Sequence, residues 1–130
     1  MHDQDDAKGF CEEHFESLMQ RGLQEEFHIV TLDGSHHVIR THQITIGLVN
    51  QTQVHPREAF RPAILDAAVA VLLVHNHPSG DPTPSPNDIK LTRFLMDAGK
   101  QLGISVLDHI IIAKHGTTSL TEAVPRELGL

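Results

Sequence analysis

Tryptophan and tyrosine are absent from this sequence, and five phenylalanines make up its whole aromatic complement. Stacking on nucleic-acid bases would therefore rest on those five rings and on histidine. Positive charge is also scarce: 10 Lys and Arg stand against 17 Asp and Glu, for a net charge of −7. Phosphate backbones are gripped by basic patches, and the cations here are scattered singly. This balance counts against a stand-alone DNA-binding module. One cysteine, Cys11, cannot close an internal disulfide, and its setting in a helical pattern reads as a core or surface thiol. No apolar run reaches the ~20 residues of a membrane helix, and no secretory signal is recognisable. The expected location is the cytoplasm, away from membranes. No repeat, linker or low-complexity stretch divides the 130 residues, so one domain over 1–130 with a single core is expected.

Histidine, by contrast, is plentiful. There are 11, enough to make the charge sensitive to mildly acid pH. Two of them organise the chain. The apolar run 69–74 leads directly into His75-Asn76-His77-Pro78, a Pro- and Gly-rich turn follows, and a helical pattern begins at Ser85-Pro86-Asn87-Asp88. Residues at i and i+2 on a strand share a face, so His75 and His77 can present their imidazoles together. Asp88 arrives one helical turn after Ser85 and could close on the same point. Two imidazoles and one carboxylate form a three-ligand set for zinc, with the fourth position left for water, as in catalytic sites. A plainer reading stands beside it. Ser85 is a good N-cap, Pro86 suits the first helical position and Asp88 favours the positive end of a helix. The histidines would then be loop residues. The two readings are compatible, because a side chain at N3 reaches toward the loop that carries the histidines.

Around this stretch, apolar spacing predicts a helix over Ala7–Arg21, with residues 1–8 frayed and Gly22 just past the end. Phe27–Leu32 reads as a strand, Asp33-Gly34 as a hairpin turn, and His36 to about Leu48 as one or two further strands. A helix starts at Pro56 and stops near Ala68. The helix from Pro86 is expected to be interrupted at Gly99 and terminated at Gly103. Ile104–Ala113 is the most apolar stretch and should be an internal strand, Thr117–Leu120 a short last strand, and the remainder a tail. The fold class is mixed α/β, with a sheet covered by helices on both faces.

His75-Asn76-His77-Pro78, six residues, Ser85, two residues and Asp88 together resemble the signature of JAMM (MPN-plus) metalloproteases. The run Pro78-Ser79-Gly80-Asp81-Pro82-Thr83-Pro84-Ser85 is similar to the RadC-like branch. Glu25-Glu26-Phe27, Val54-His55-Pro56-Arg57-Glu58 and Val106-Leu107-Asp108-His109 agree in order, so the resemblance covers about Leu23–Ala113. It departs from the general pattern at Asn76, where a small hydroxyl residue is usual. A helix-hairpin-helix segment commonly precedes this domain in full-length RadC-like proteins. None is recognisable here, and no direct DNA role is expected.

The resemblance implies a three-layer domain with a mixed sheet, of the JAMM and cytidine deaminase-like kind. It implies one zinc held by His75, His77 and Asp88, and hydrolysis of a peptide or isopeptide bond in an unidentified protein substrate. Glu25 matches the family's upstream glutamate and is the implied general base; Glu26, turned to the other side of the strand, is the second choice. Ser85 can offer its hydroxyl to a developing oxyanion besides capping the helix. Asp108 and His109 sit on an apolar strand, where charge must be paired. Asp108 could orient a zinc-bound imidazole, although satisfying local backbone groups is the favoured role. His28, His36, His37, His42, His55 and His115 read as surface or loop residues. The alternative function is a non-catalytic zinc-binding or protein-interaction module, accessory to DNA repair or mobile-element processes.

Overall fold

Val71, Leu72, Leu73 and Val74 are each no more than 1% exposed, so the strand that carries them is covered on both faces. A computed structural model, describing residues 1–130, shows how that burial is reached. The elements are α1 (Gln4–His14), α2 (Glu16–Arg21), β1 (Glu26–Leu32), β2 (Val38–Ile46), α3 (Pro56–Leu65), β3 (Ala70–His77), α4 (Pro86–Leu102), β4 (Ser105–Ala113), β5 (Gly116–Ser119) and α5 (Leu120–Ala123). One sheet has the order β2-β1-β3-β4-β5, which puts β3 in the middle. β1 runs antiparallel to β2 and β3, β3 parallel to β4, and β4 antiparallel to β5. Parallel neighbours need a crossover, and α4 supplies it.

Alternation along β3 separates two apolar layers. Val71 and Leu73 pack with Ala59, Phe60 and Ala63 of α3 and with Leu91 and Leu95 of α4. Ala70, Leu72 and Val74 pack with Ala7, Cys11 and Phe15 at the N-terminal helices. The mixed α/β class and the helices on both faces are as expected. Because side chains repeat every second residue, His75 and His77 continue the Val71–Leu73 face toward α4.

Several local expectations are corrected. The first helix begins at Gln4, not Ala7, because the Asp3 carboxylate accepts the Asp6 N–H at 2.8 Å and Ala7 is buried. It also breaks at Phe15, where the backbone leaves helical geometry (φ −104°, ψ 25°) and the buried ring meets His28 edge-on. The α4 helix runs unbroken through Gly99. Glycine is needed there for close approach, since a Cβ would collide with the Ile104 carbonyl oxygen and crowd the Phe60 ring. Gly103 ends the helix in the left-handed region, φ 72°. His28 and His42 lie on strands, as expected, but are not free surface residues: their half-buried rings have Nε2 3.0 Å from Glu26 Oε1 and 2.7 Å from Asp66 Oδ2. The expected tail contains α5, capped by Ser119 and anchored by buried Leu120.

Asp66 fastens the β1–β2 hairpin to the end of α3. Its carboxylate accepts from Thr31 Oγ1 at 2.8 Å, His42 Nε2 at 2.7 Å and Arg40 Nε at 3.2 Å, and the side chain is 8% exposed. Burial alone would raise its pKa, but the bonds from His42 and Thr31 and the charges of His42 and Arg40 hold it below the ordinary carboxylate value. Asp66→Ala should cost about 1.5–3 kcal/mol at neutral pH. A depressed folded pKa gives stability that is present above the unfolded value of ~3.9 and lost as pH falls through the folded one. Urea melts should therefore show the gap between wild type and variant narrowing in acid below pH ~4. Equal stabilities at pH 7 would contradict this role.

Cys11 is fully buried, and burial, followed by the charges of Asp108 and Glu12, pushes its thiol pKa up to about 12. Since the thiolate is the reactive form, a thiol-specific chromogenic reagent should leave native protein untouched at pH 8. One equivalent should react on adding denaturant.

Candidate metal centre

β3 ends as it enters the turn, with His75 fully buried and the His77 side chain 14% exposed. The turn is short because Gly80 takes φ 90°, and the Asp81 carbonyl accepts the His77 Nδ1 hydrogen at 2.8 Å. That bond fixes the His77 ring and leaves Nε2 free to face the site. α4 opens with a full capping box: Ser85 Oγ accepts the Asp88 N–H (3.1 Å) and Asp88 Oδ2 accepts the Ser85 N–H (2.7 Å). The cap turns the Asp88 carboxylate back toward β3. Asp88 Oδ1 lies 3.2 Å from His75 Nε2 and Oδ2 lies 3.1 Å from His77 Nε2. Cap and convergence use the same carboxylate. The hydroxyl proton of Ser85 is taken by no group of the chain.

The third edge is built by β1. Phe27 pairs with His75 in antiparallel register, and continuing that register brings Glu25 beside His77. Glu25 Oε1 stands 3.8 Å from His75 Nε2, and its side chain is 25% exposed. Asn76, on the opposite face of β3, brackets this glutamate: its Oδ1 accepts the Glu26 N–H at 2.7 Å and its Nδ2 donates to the Gln24 carbonyl at 3.0 Å. A hydroxyl side chain at that position could not span both partners. Glu26 turns away and meets His28.

Behind His75 lies a buried arrangement that the sequence did not disclose. His75 Nδ1 is 2.7 Å from His109 Nε2, His109 Nδ1 is 2.6 Å from Thr92 Oγ1, and the Thr92 hydroxyl donates to the Asp88 carbonyl at 2.6 Å. Asp108 is not part of it. Its carboxylate accepts from the backbone N–H groups of His109 and Thr121 and from the Ser119 hydroxyl. The readable signal for His109 was a polar pair in the most apolar strand, next to the strand that ends in the motif.

Burial alone would raise the Asp88 pKa, but the His75 and His77 imidazoles beside its carboxylate and the Ser85 N–H hold it far below the usual carboxylate range. Burial would likewise lower His77, yet the Asp88 hydrogen bond, the Asp81 carbonyl and the charges of Asp88 and Glu25 raise it. His109, fully buried, is held well below the ordinary histidine value by desolvation first and by the His75 charge second.

His75 Nε2 is a buried atom with no hydrogen-bond partner, although Asp88 Oδ1 is near. A buried imidazole nitrogen without a hydrogen-bond partner, facing a carboxylate, is suited to hold a metal ion. Donors on a tetrahedral zinc at 2.0–2.1 Å stand about 3.3 Å apart, and the 3.1 and 3.2 Å separations, each to a different oxygen of Asp88, are of that size. Glu25, His75 and His77 also present ligand atoms all within 4.8 Å of one another, so these three form a cluster that could hold a metal. Imidazole with carboxylate suits a borderline cation such as zinc.

Comparison with known proteins shows the family. The family model described as "RadC-like JAB domain" matches residues 1–126. A UPF0758 protein of Methanospirillum hungatei is 56% identical over 97 residues, covering 75% of this chain and 43% of the relative. One of Geobacter sulfurreducens is 46% identical over 110 residues, covering 85% and 48% respectively. One of Geotalea uraniireducens is 51% identical over 100 residues, covering 77% and 44%. The chain spans less than half the length of these relatives.

Proposed function

The chain belongs to the family of RadC-like JAB domains, and from that premise we propose that it is a zinc-dependent hydrolase cleaving a peptide or isopeptide bond. The observation that carries this reading is the buried, unpartnered His75 Nε2, set within 3.2 Å of Asp88 and beside His77 and Glu25. His75, His77 and Asp88 would hold the metal, and Glu25 would stand on its open side. A zinc ion there supplies Lewis acidity, which lowers the pKa of a water toward ~7 and polarises a carbonyl.

The remaining work falls to the chain's own side chains. Glu25, more exposed than the two buried ligands His75 and Asp88 and fixed at its backbone by Asn76, takes up the water's proton at Oε1 and returns it to the leaving amine. Ser85 has an uncommitted hydroxyl proton to offer a developing oxyanion, a kind of donor worth about 2.7–4 kcal/mol in well-studied hydrolases. A polypeptide substrate accords with the net charge of −7, which disfavours direct contact with nucleic acid.

A second ligand set, Glu25 with His75 and His77, has mutual proximity in its favour. Asp88 is preferred because its side chain is 3% exposed and touches both imidazoles, whereas Glu25 lies 3.8 Å from the nearer one. Protein purified without chelator should retain roughly one zinc per chain. Screening against isopeptide-linked and linear peptides should give a turnover that chelator removes and zinc restores. Absence of bound metal in such a preparation overturns the reading. Bound zinc with no turnover on any peptide favours the interaction module instead.

A further inference from the structure

We propose that His109, backed by Thr92, is a positioning residue that fixes the tautomer of His75 and so aims a lone pair from Nε2 into the site. The inference rests on the metal reading above for its purpose, while the positions of the protons follow from the bonds alone. The Asp88 backbone carbonyl can only accept, and the Thr92 hydroxyl lies 2.6 Å from it, so the single Thr92 proton goes there. Thr92 Oγ1 is then an acceptor, and His109 Nδ1, 2.6 Å away, must carry the hydrogen between them. A neutral imidazole protonated at Nδ1 has its lone pair at Nε2. His109 Nε2 therefore accepts from His75 Nδ1 at 2.7 Å, and His75 in turn keeps its lone pair on Nε2.

Reversing any step sets two lone pairs face to face inside the buried chain of bonds. The forward direction leaves one such pair only at its end, His75 Nε2 against Asp88 Oδ1 at 3.2 Å, where a bound cation would relieve it. If Thr92 donated to His109, its oxygen would confront the Asp88 carbonyl at 2.6 Å with no hydrogen between them. Water cannot relieve the conflict, because Thr92, His109 and His75 are all fully buried. The chain of bonds also starts and ends on one residue. Asp88 anchors it through its carbonyl and faces its outcome through its carboxylate, 3.2 Å from His75 Nε2. Ligand histidines ordinarily donate their other N–H to a carboxylate, a carbonyl or water. A second imidazole performs that task here, and it can do so only while Thr92 fixes its polarity.

Three variants and two measurements test this. Thr92→Val keeps the shape and removes the hydroxyl, Thr92→Ser restores it, and His109→Leu removes the acceptor. Zinc affinity, read by competition with a chromophoric chelator, should fall about 10- to 100-fold in Thr92→Val and His109→Leu and recover in Thr92→Ser. Nitrogen-15 NMR of metal-free wild type in alkaline solution should show His75 protonated at Nδ1. In Thr92→Val the His75 proton should be shared between the two nitrogens or move to Nε2. A purely structural role would lower stability and leave both readouts unchanged, and that result overturns the proposal. So does a wild-type His75 protonated at Nε2. Should His109→Leu fail to fold, the Thr92 pair decides alone. Should wild type bind no zinc, the hydrolase reading fails while the NMR measurement still decides the relay.

Discussion

Asp88→Asn is expected to strip the metal from the protein and leave the fold standing. The exchange separates two duties of one side chain. Asparagine keeps an acceptor for the Ser85 N–H, so the capping box survives in part and the cost without metal should stay within about 1 kcal/mol. What disappears is the negative charge between two imidazoles at 3.1 and 3.2 Å. Metal that binds only the folded state stabilises it by RT ln(1 + [L]/Kd), about 4 kcal/mol at a thousand times Kd. For a domain of this size that is a rise in Tm on the order of 10 °C. Wild type should show the rise on adding zinc and lose it with chelator, whereas Asp88→Asn should melt at the same temperature in both. His77→Ala should behave alike in metal content, because the core strands do not depend on that ring. Undiminished zinc in either variant would show that the ligands are misassigned.

Glu25→Gln should do the reverse: zinc content and melting temperature hardly change, while any peptidase turnover falls by about 10²–10⁴-fold. The amide preserves size and removes the proton acceptor. Nothing in the fold leans on the carboxylate, which is partly exposed and stands 3.8 Å from His75 Nε2. Glu26→Gln should leave turnover nearly unchanged, since that side chain is engaged with His28. The pair of measurements also decides between the two ligand sets. Loss of zinc in Glu25→Gln would make Glu25 a ligand, and full activity in that variant would remove it from the chemistry altogether.

Much of this architecture was legible where it is local. Ser85, Pro86 and Asp88 announced a helix start, Gly103 its end, and the run before His75 a buried strand. Each rests on bonds within a few residues. The convergence of His75, His77 and Asp88 was readable for the same reason. Glu25 was not, and only its likeness to a family pattern singled it out, because its place depends on the pairing of β1 with β3. The choice between Asp108 and His109 was equally hidden. They point to opposite faces of β4, and a register shift opposite Val71/Leu72 decides which faces His75. The break at Phe15 and the unbroken helix at Gly99 follow from contacts with His28, Ile104 and Phe60, which no local rule contains.

The division between near and distant residues at the site has a kinetic side. His77 and Asp88 are 11 positions apart, whereas Asn76 reaches across 50 to hold the segment around Glu25. Loop-closure entropy makes the longer closure roughly 1 kcal/mol more costly, so the hairpin of strand, turn and helix that carries His75, His77 and Asp88 is the easier of the two to close. The folded protein inherits the same order of fragility. A local opening that frees the Asn76 amide from Gln24 and Glu26 would release the backbone around Glu25 and leave His75, His77 and Asp88 in place, and hydrogen exchange at the Glu26 amide would time how often it happens.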